Sequence, residues 1–168
     1  MTDVMLDLET MSTSTNAAIV AIGAVEFDIE RTFIGRKFYA VVNLQSAIEN
    51  GGVVDGDTIR WWLGQSDEAR TAIRVGDEHI DSVLHRFSGW LDPEARVWGN
   101  GAAFDNVILA SAYRRSQIEL PWKFWNDRCY RTIKSLHGDV PIERIGTYHN
   151  ALDDAETQAN HLMRILAR

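Results

Sequence analysis

A single cysteine, Cys129, stands in a chain of 168 residues. One thiol excludes an internal disulfide framework and fits a reducing, cytoplasmic setting. Long apolar runs are missing too. None approaches the ~20 residues that a membrane-spanning helix needs, so no membrane partner is expected. The N-terminus has no basic stretch followed by an apolar core, which gives no sign of export. Repeats, low-complexity tracts and Pro/Ser-rich linkers are absent. One domain over 1–168 is expected, long enough to bury a core without staples. Basic residues are in the minority: 17 Lys and Arg stand against 24 Asp and Glu, a net charge of −7. That balance argues against general electrostatic attraction to nucleic acid, which runs on Lys and Arg. Carboxylates occupied by divalent cations would weaken the argument, and a net charge hides local patches.

Strands come first along the chain. In 3–10 (DVMLDLET), Val4, Leu6 and Leu8 alternate with Met5, Asp7 and Glu9, the period of a strand. Residues 18–28 (AIVAIGAVEFD) are β-branched and apolar, and 31–42 (RTFIGRKFYAVV) alternates. The short IER link between them predicts a hairpin, and the three strands an antiparallel meander. Helical patterns follow. Short helices are predicted over 58–63 and 67–73. A longer one over 77–91 gathers His79, Val83, Phe87 and Trp90 and stops before Pro93. RVWGN (96–100) reads as a strand, 105–115 as a helix, DRCY (127–130) as a strand and 132–136 as a helix. A last helix over 150–166 carries the apolar stripe Leu152, Ala155, Ala159, Leu162, Ile165 and Leu166. This order predicts an α/β fold with a mixed five-stranded sheet and helices on both faces. Residues 3–10 are the natural central strand.

That strand carries two carboxylates. Residues i and i+2 point to one face, ~6–7 Å apart, so Asp7 and Glu9 stand side by side. Burying unpaired carboxylates costs several kcal/mol, and like charges push each other toward neutrality unless a cation sits between them. A strand end that reaches solvent accounts for the pair equally well. Asp105, in WGNGAAFDNVIL, follows a glycine-flanked strand end and opens a helix, a position where aspartate commonly caps or meets the helix dipole. YHNALDDAETQA places His149 and Asp154 around the start of the last helix. Asp153 lies in its first turn and fits a capping role. Asp154 lies deeper, beside the apolar stripe, and fits capping less well. Four hard oxygen ligands suit Mg²⁺ or Mn²⁺. Two such ions ~3.5–4 Å apart can clamp the attacking and leaving oxygens of a phosphodiester. A nearby histidine can take the proton of the attacking water. Spacing alone does not bring these residues together.

As a set they resemble the DEDDh branch of the DnaQ-like 3′–5′ exonucleases. The Asp-x-Glu motif is Asp7-Leu8-Glu9, followed by Thr10; the second motif is Asp105; the His-x4-Asp motif is His149 and Asp154. All five positions are filled, in order, and the resemblance covers nearly the whole chain. A closer likeness is to the small phage and bacterial group that includes the mycobacterial RNase AS and exodeoxyribonuclease VIII-like phage proteins. It rests on AAIVAIGAVEFD, DTIRWWLGQSDEAR, VWGNGAAFDNVIL, PWKFWNDRCYRTIK and GTYHNALDDAETQA. The resemblance implies an RNase H-like fold, with Asp7, Glu9, Asp105 and Asp154 as ligands of two divalent cations, Mg²⁺ or Mn²⁺. It implies His149 as general base and nucleoside 5′-monophosphates as products. It also leans toward RNA over DNA and toward a homodimer. A binding module that kept the fold and lost catalysis is disfavoured by the filled set.

The expected partner is single-stranded nucleic acid or a 3′ overhang. Trp61 and Trp62 are adjacent, ~100° apart on a helix, so one is expected in the core and one in the cleft. The resemblance favours Trp62 for the cleft. Leu8 and Thr10 flank the ligand pair and are candidates for the terminal-nucleotide pocket, although a regular strand points Leu8 away. Asn100 and Asn106 flank the second motif and suit either sugar–phosphate contacts or turn and helix caps. Lys123, Arg128, Arg131 and Lys134 lie within a dozen residues, interleaved with Trp122, Phe124, Trp125 and Tyr130. That pattern suits a backbone groove, with Arg128 and Arg131 as candidate contacts, and equally a solvated face over packed aromatics. His79, His85, His137 and His161 have no partner that the sequence names.

Overall fold

A computed structural model describes residues 2–167. Five strands, β1 (Asp3–Thr10), β2 (Ile19–Asp28), β3 (Phe33–Val41), β4 (Arg96–Gly99) and β5 (Asp127–Cys129), form one sheet in the order β3-β2-β1-β4-β5. The first three pair antiparallel as a meander; β4 and β5 add in parallel. The mixed five-stranded sheet is the predicted one, with β1 at its centre. The described helices are α1 (Leu44–Glu49), α2 (Gly56–Leu63), α3 (Asp67–Arg74), α4 (Ile80–Trp90), α5 (Asp105–Arg115), α6 (Tyr130–Leu136) and α7 (Ala151–Leu166), with a short 3-10 turn at Phe124–Asn126. None is long and apolar enough to cross a membrane.

The alternation in β1 is buried on both sides. Val4, Leu6 and Leu8 join a core with Phe87 of α4 and Leu109 of α5. Met5 joins a second core with Trp98, Tyr130 and Leu162, beneath α6 and α7. Asp7 and Glu9 therefore share the face that α7 covers.

Local chemistry shifts several boundaries. The third strand starts at Phe33 because Asp28 accepts the N–H groups of Glu30 and Arg31, each at 3.0 Å, and closes a turn. The helix predicted from 77 starts at Ile80 because His79 caps it, its Nδ1 accepting the Asp81 N–H at 3.3 Å. α1 was not expected. It is six residues long, too short for a periodic stripe, and Asn43 caps it by accepting the Ser46 N–H at 3.0 Å. His161 is structural: Nε2 lies 2.9 Å from the Val140 carbonyl and so carries the proton there, leaving Nδ1 to accept from the Tyr130 hydroxyl at 2.6 Å.

Two glycines let helices close on the sheet. Gly23 pairs with Asp7 across β1 and β2, and a Cβ on it would stand 2.1 Å from the Ala151 carbonyl carbon at the start of α7. A Cβ on Gly99 would stand 2.4 Å from the Asn106 Oδ1 and 3.1 Å from the Asp105 Cβ. Glycine at these positions brings the N-termini of α7 and α5 against the carboxylate end of β1.

Candidate active site

Asp7, Glu9, Asp105, His149 and Asp154 line one cleft of about 610 Å³. Each arrives from a different cause. The pleat of β1 sets Asp7 and Glu9 on the α7 side. Asp105 is the first residue of α5, and its Oδ1 accepts the Leu8 backbone N–H at 3.3 Å, which ties α5 to β1. Asp154 lies in the first turn of α7, and Gln158, four residues on, donates from Nε2 to Asp7 Oδ1 at 2.7 Å. Glu9, His149 and Asp154 each offer a ligand atom, all within 4.8 Å of one another.

The loop before α7 is held by its own carboxylates. The His149 N–H donates to Asp154 Oδ2 at 3.0 Å, and the Thr147 N–H to Asp153 Oδ2 at 2.7 Å. Asn150 caps α7, accepting the Leu152 and Asp153 N–H groups. His149 itself takes φ 61°, a left-handed backbone that a non-glycine residue adopts at a cost. Its ring meets the Trp61 ring edge-on, with centroids 4.8 Å apart. Arg144 donates to Asp154 Oδ1 and to the Thr147 carbonyl, and its guanidinium lies 4.5 Å from the Tyr148 ring centroid.

Crowded carboxylates without enough positive charge raise one another. Burial lifts Asp7 well above the ordinary carboxylate range, and Asp105, Glu9 and Asp154 add to it, against the Gln158 hydrogen bond. Glu9 is pushed up to about 8 by burial, then by Asp154 and Asp105, against Arg144. Asp105 rises to about 7 by burial, opposed by backbone N–H groups including that of Leu8 and by Arg131. Hard oxygen donors that converge and repel are the set that suits divalent cations of the Mg²⁺ or Mn²⁺ kind.

The substrate contacts predicted around this set fare unevenly. Arg131, Asn100 and Thr10 line the cleft. Thr10 is turned inward, its hydroxyl donating to the Ser12 carbonyl at 2.8 Å. Leu8 is a core residue whose edge reaches the cleft, as regular β1 geometry requires. Both tryptophans line the cleft, but they do so differently. Trp62 is 4% exposed and anchors α2 by donating from Nε1 to the Thr10 carbonyl at 3.0 Å, while Trp61 is 45% exposed at the cleft mouth. Asn106 does not line the cleft. It is 1% exposed and donates to the Val97 carbonyl at 3.0 Å and to Asp127 Oδ1 at 2.8 Å, tying α5 to β4 and β5. Arg128 also lies outside, donating from Nη1 to the Trp125 and Asp127 carbonyls, each at 2.9 Å. Gln158 and Arg144 were missed. Gln158 was findable, since i+4 from Asp154 shares a helix face; Arg144 lies in irregular chain and left no signal.

The chain matches the family described as the 3′–5′ exoribonuclease Rv2179c-like domain over residues 2–166. It is 30% identical over 160 residues to an exodeoxyribonuclease of Enterobacteria phage T4, covering 79% of this chain and 70% of that protein. Among solved structures it resembles the nuclease domain of 3′hExo, a DEDDh family member bound to rAMP, at TM-score 0.65 and 14% identity, covering 99% of this chain and 92% of that one. It also resembles E. coli exonuclease I in complex with a dA16 oligonucleotide, at TM-score 0.64 and 14% identity, covering 94% of this chain and 39% of that one. These structural likenesses show the shared RNase H-like fold. The chain belongs to the Rv2179c-like 3′–5′ exoribonuclease domain family and is a 3′–5′ exonuclease.

Proposed function

We propose that this enzyme removes nucleotides from the 3′ end of single-stranded nucleic acid or a 3′ overhang, releasing nucleoside 5′-monophosphates. The observation that carries the reading is the convergence of Asp7, Glu9, Asp105, His149 and Asp154 on one cleft. The four carboxylates would hold two divalent cations, which supply Lewis-acid charge at the scissile phosphate when bound. His149 takes the proton of the attacking water. The water oxygen bonds to phosphorus, the bond to the 3′ oxygen breaks, and that oxygen takes a proton from solvent, so the shortened strand leaves with a free 3′-hydroxyl. Trp61, exposed beside His149, stacks on the terminal base.

RNA is the favoured substrate, supported by the family match over residues 2–166. The second reading is a 3′–5′ exodeoxyribonuclease on single-stranded DNA, supported by the phage T4 relative. Within the family, the proposed placement is with the RNase AS and exodeoxyribonuclease VIII-like group, and the proposed assembly is a homodimer, checked by light scattering. The deciding experiment uses matched 5′-labelled RNA and DNA single strands with Mg²⁺ or Mn²⁺, with and without chelator. Stepwise shortening from the 3′ end that chelator stops, faster on RNA, is expected. Full-length strands in the presence of either metal would overturn the reading.

A further inference from the structure

Most described Lys and Arg side chains in this acidic chain form an ion pair with a carboxylate: Arg36 with Glu26 and Arg86 with Glu78, for example. Among the described residues, Arg74, Arg114, Arg115, Arg128, Arg131 and Lys134 form none, and the last three lie together. Those three stand three residues apart, and His137 continues the interval. Residues i and i+3 on a helix share a face, ~5–6 Å between Cβ atoms, so α6 presents Arg131 and Lys134 in a row that its cap residue His137 extends.

That row lines a second concavity of about 450 Å³ between α6 and the 138–142 segment. Val140, Pro141 and Ile142 give it an apolar wall; among the described residues no carboxylate lines it, and Asp139, between Gly138 and Val140, is exposed beside it. Arg131 lines this concavity and the active-site cleft alike, so the two are continuous through one side chain. At the cleft end Arg131 packs on the loop before α5: a Cβ on Gly101 would stand 3.6 Å from its Cζ.

We infer that the Arg131–Lys134–His137 face of α6 holds the sugar–phosphate backbone of the nucleotides preceding the scissile 3′ bond. This rests on the proposed reading that the 3′ end enters the cleft. The site recognises phosphodiester charge, with the apolar wall against sugar or base edges. Affinity therefore grows with strand length until the face is covered, and carries a steeper salt dependence than the cleft alone.

Lys134 lies outside the catalytic set and is half-buried on the helix surface, so it is the residue to vary. Lys134→Glu is compared with wild type and with Lys134→Arg. The substrates are single-stranded RNA and DNA of ten nucleotides and a nucleoside 5′-(p-nitrophenyl phosphate), which has no preceding nucleotide. For Lys134→Glu, KM for both long strands should rise about tenfold with kcat unchanged, and the salt slope should become shallower by about 0.7 per lost contact. Hydrolysis of the ester should stay at the wild-type rate, and Lys134→Arg should behave as wild type. Equal loss on ester and long strands, an unchanged KM, or an effect confined to one polymer would overturn the inference. Were wild type to hydrolyse neither substrate with metal, the proposed function would have failed. Fluorescence anisotropy would then decide the face alone: weaker ten-nucleotide binding by Lys134→Glu supports it, and equal binding overturns it.

Discussion

The backbone N–H of His149 donates to Oδ2 of Asp154 at 3.0 Å. The candidate base and a candidate ligand are thus one mechanical unit, five residues apart, and the hydrogen bond helps to hold His149 in its left-handed backbone. Asp154→Ala removes a metal ligand and frees that loop together. Hydrolysis should fall by at least about 10²-fold, the scale on which losing one electrostatic stabiliser acts. Amide exchange at Thr147 and His149 should accelerate, while far-ultraviolet circular dichroism stays that of wild type. A wild-type rate in this variant would sink the assignment.

Asp7 should show a trade between stability and activity. Its carboxylate is raised by burial and by three neighbouring carboxylates. Asp7→Asn keeps the shape, removes one repelling charge and keeps an acceptor for Gln158. Metal-free protein should melt higher than wild type at pH 8, and metal-dependent hydrolysis should be nearly abolished. Melting curves and a strand-shortening assay read the two effects separately.

Metal-free stability should fall as pH rises. Glu9 and Asp105 titrate at about 8 and about 7 in the folded chain, above the ordinary carboxylate value of about 4. Folding favours their protonated forms, so their contribution is complete below pH ~4 and is lost as pH rises through 7 and 8. Saturating Mn²⁺ binds the deprotonated forms and should reverse the slope. A melting temperature that rises between pH 5 and pH 8 in chelator would contradict the crowding described here.

The two tryptophans should separate cleanly. Trp62→Ala empties a buried site and strands the Thr10 carbonyl, costing about 3–5 kcal/mol of stability. Trp61→Ala should leave stability nearly unchanged and raise KM about 5- to 100-fold, matching one lost base stack of ~1–3 kcal/mol. Urea melts and steady-state kinetics on one oligonucleotide check both.

Arg144 sits on Asp154 in the place of a counter-charge. Arg144→Gln removes a cation that competes with metal for that carboxylate. Calorimetry should show Mn²⁺ binding several-fold tighter, with a lower melting temperature in chelator. Weaker Mn²⁺ binding would mean instead that Arg144 holds Asp154 in position for the metal.

Much of this was legible because it is periodic or short-range. The period-two run of β1, the apolar stripe of α7 and the glycine before Asp105 each express themselves within a dozen residues. α1 escaped because six residues hold no full stripe. Which of Trp61 and Trp62 is the more buried was not legible, because either could face inward on an isolated α2, and only the Thr10 carbonyl on β1 selects Trp62. Asn106 and Arg128 looked like ligand contacts by composition, yet Asn106 spends its amide on Val97 and Asp127, and Arg128 turns Nη1 to the Trp125 and Asp127 carbonyls outside the cleft.

By itself the sequence determined the order of strands and helices, the burial of β1 and the placing of Asp7 beside Glu9, since pleat and helix periods act between near neighbours. Only the tertiary structure decided that these two meet Asp105 and Asp154. Leu8 reaches Asp105 across 97 residues, and Asp7 reaches Gln158 across 151. Those approaches depend on two helix ends packing where Gly23 and Gly99 leave no Cβ in the way. Close approach is a property of shapes in contact, and no local pattern contains it.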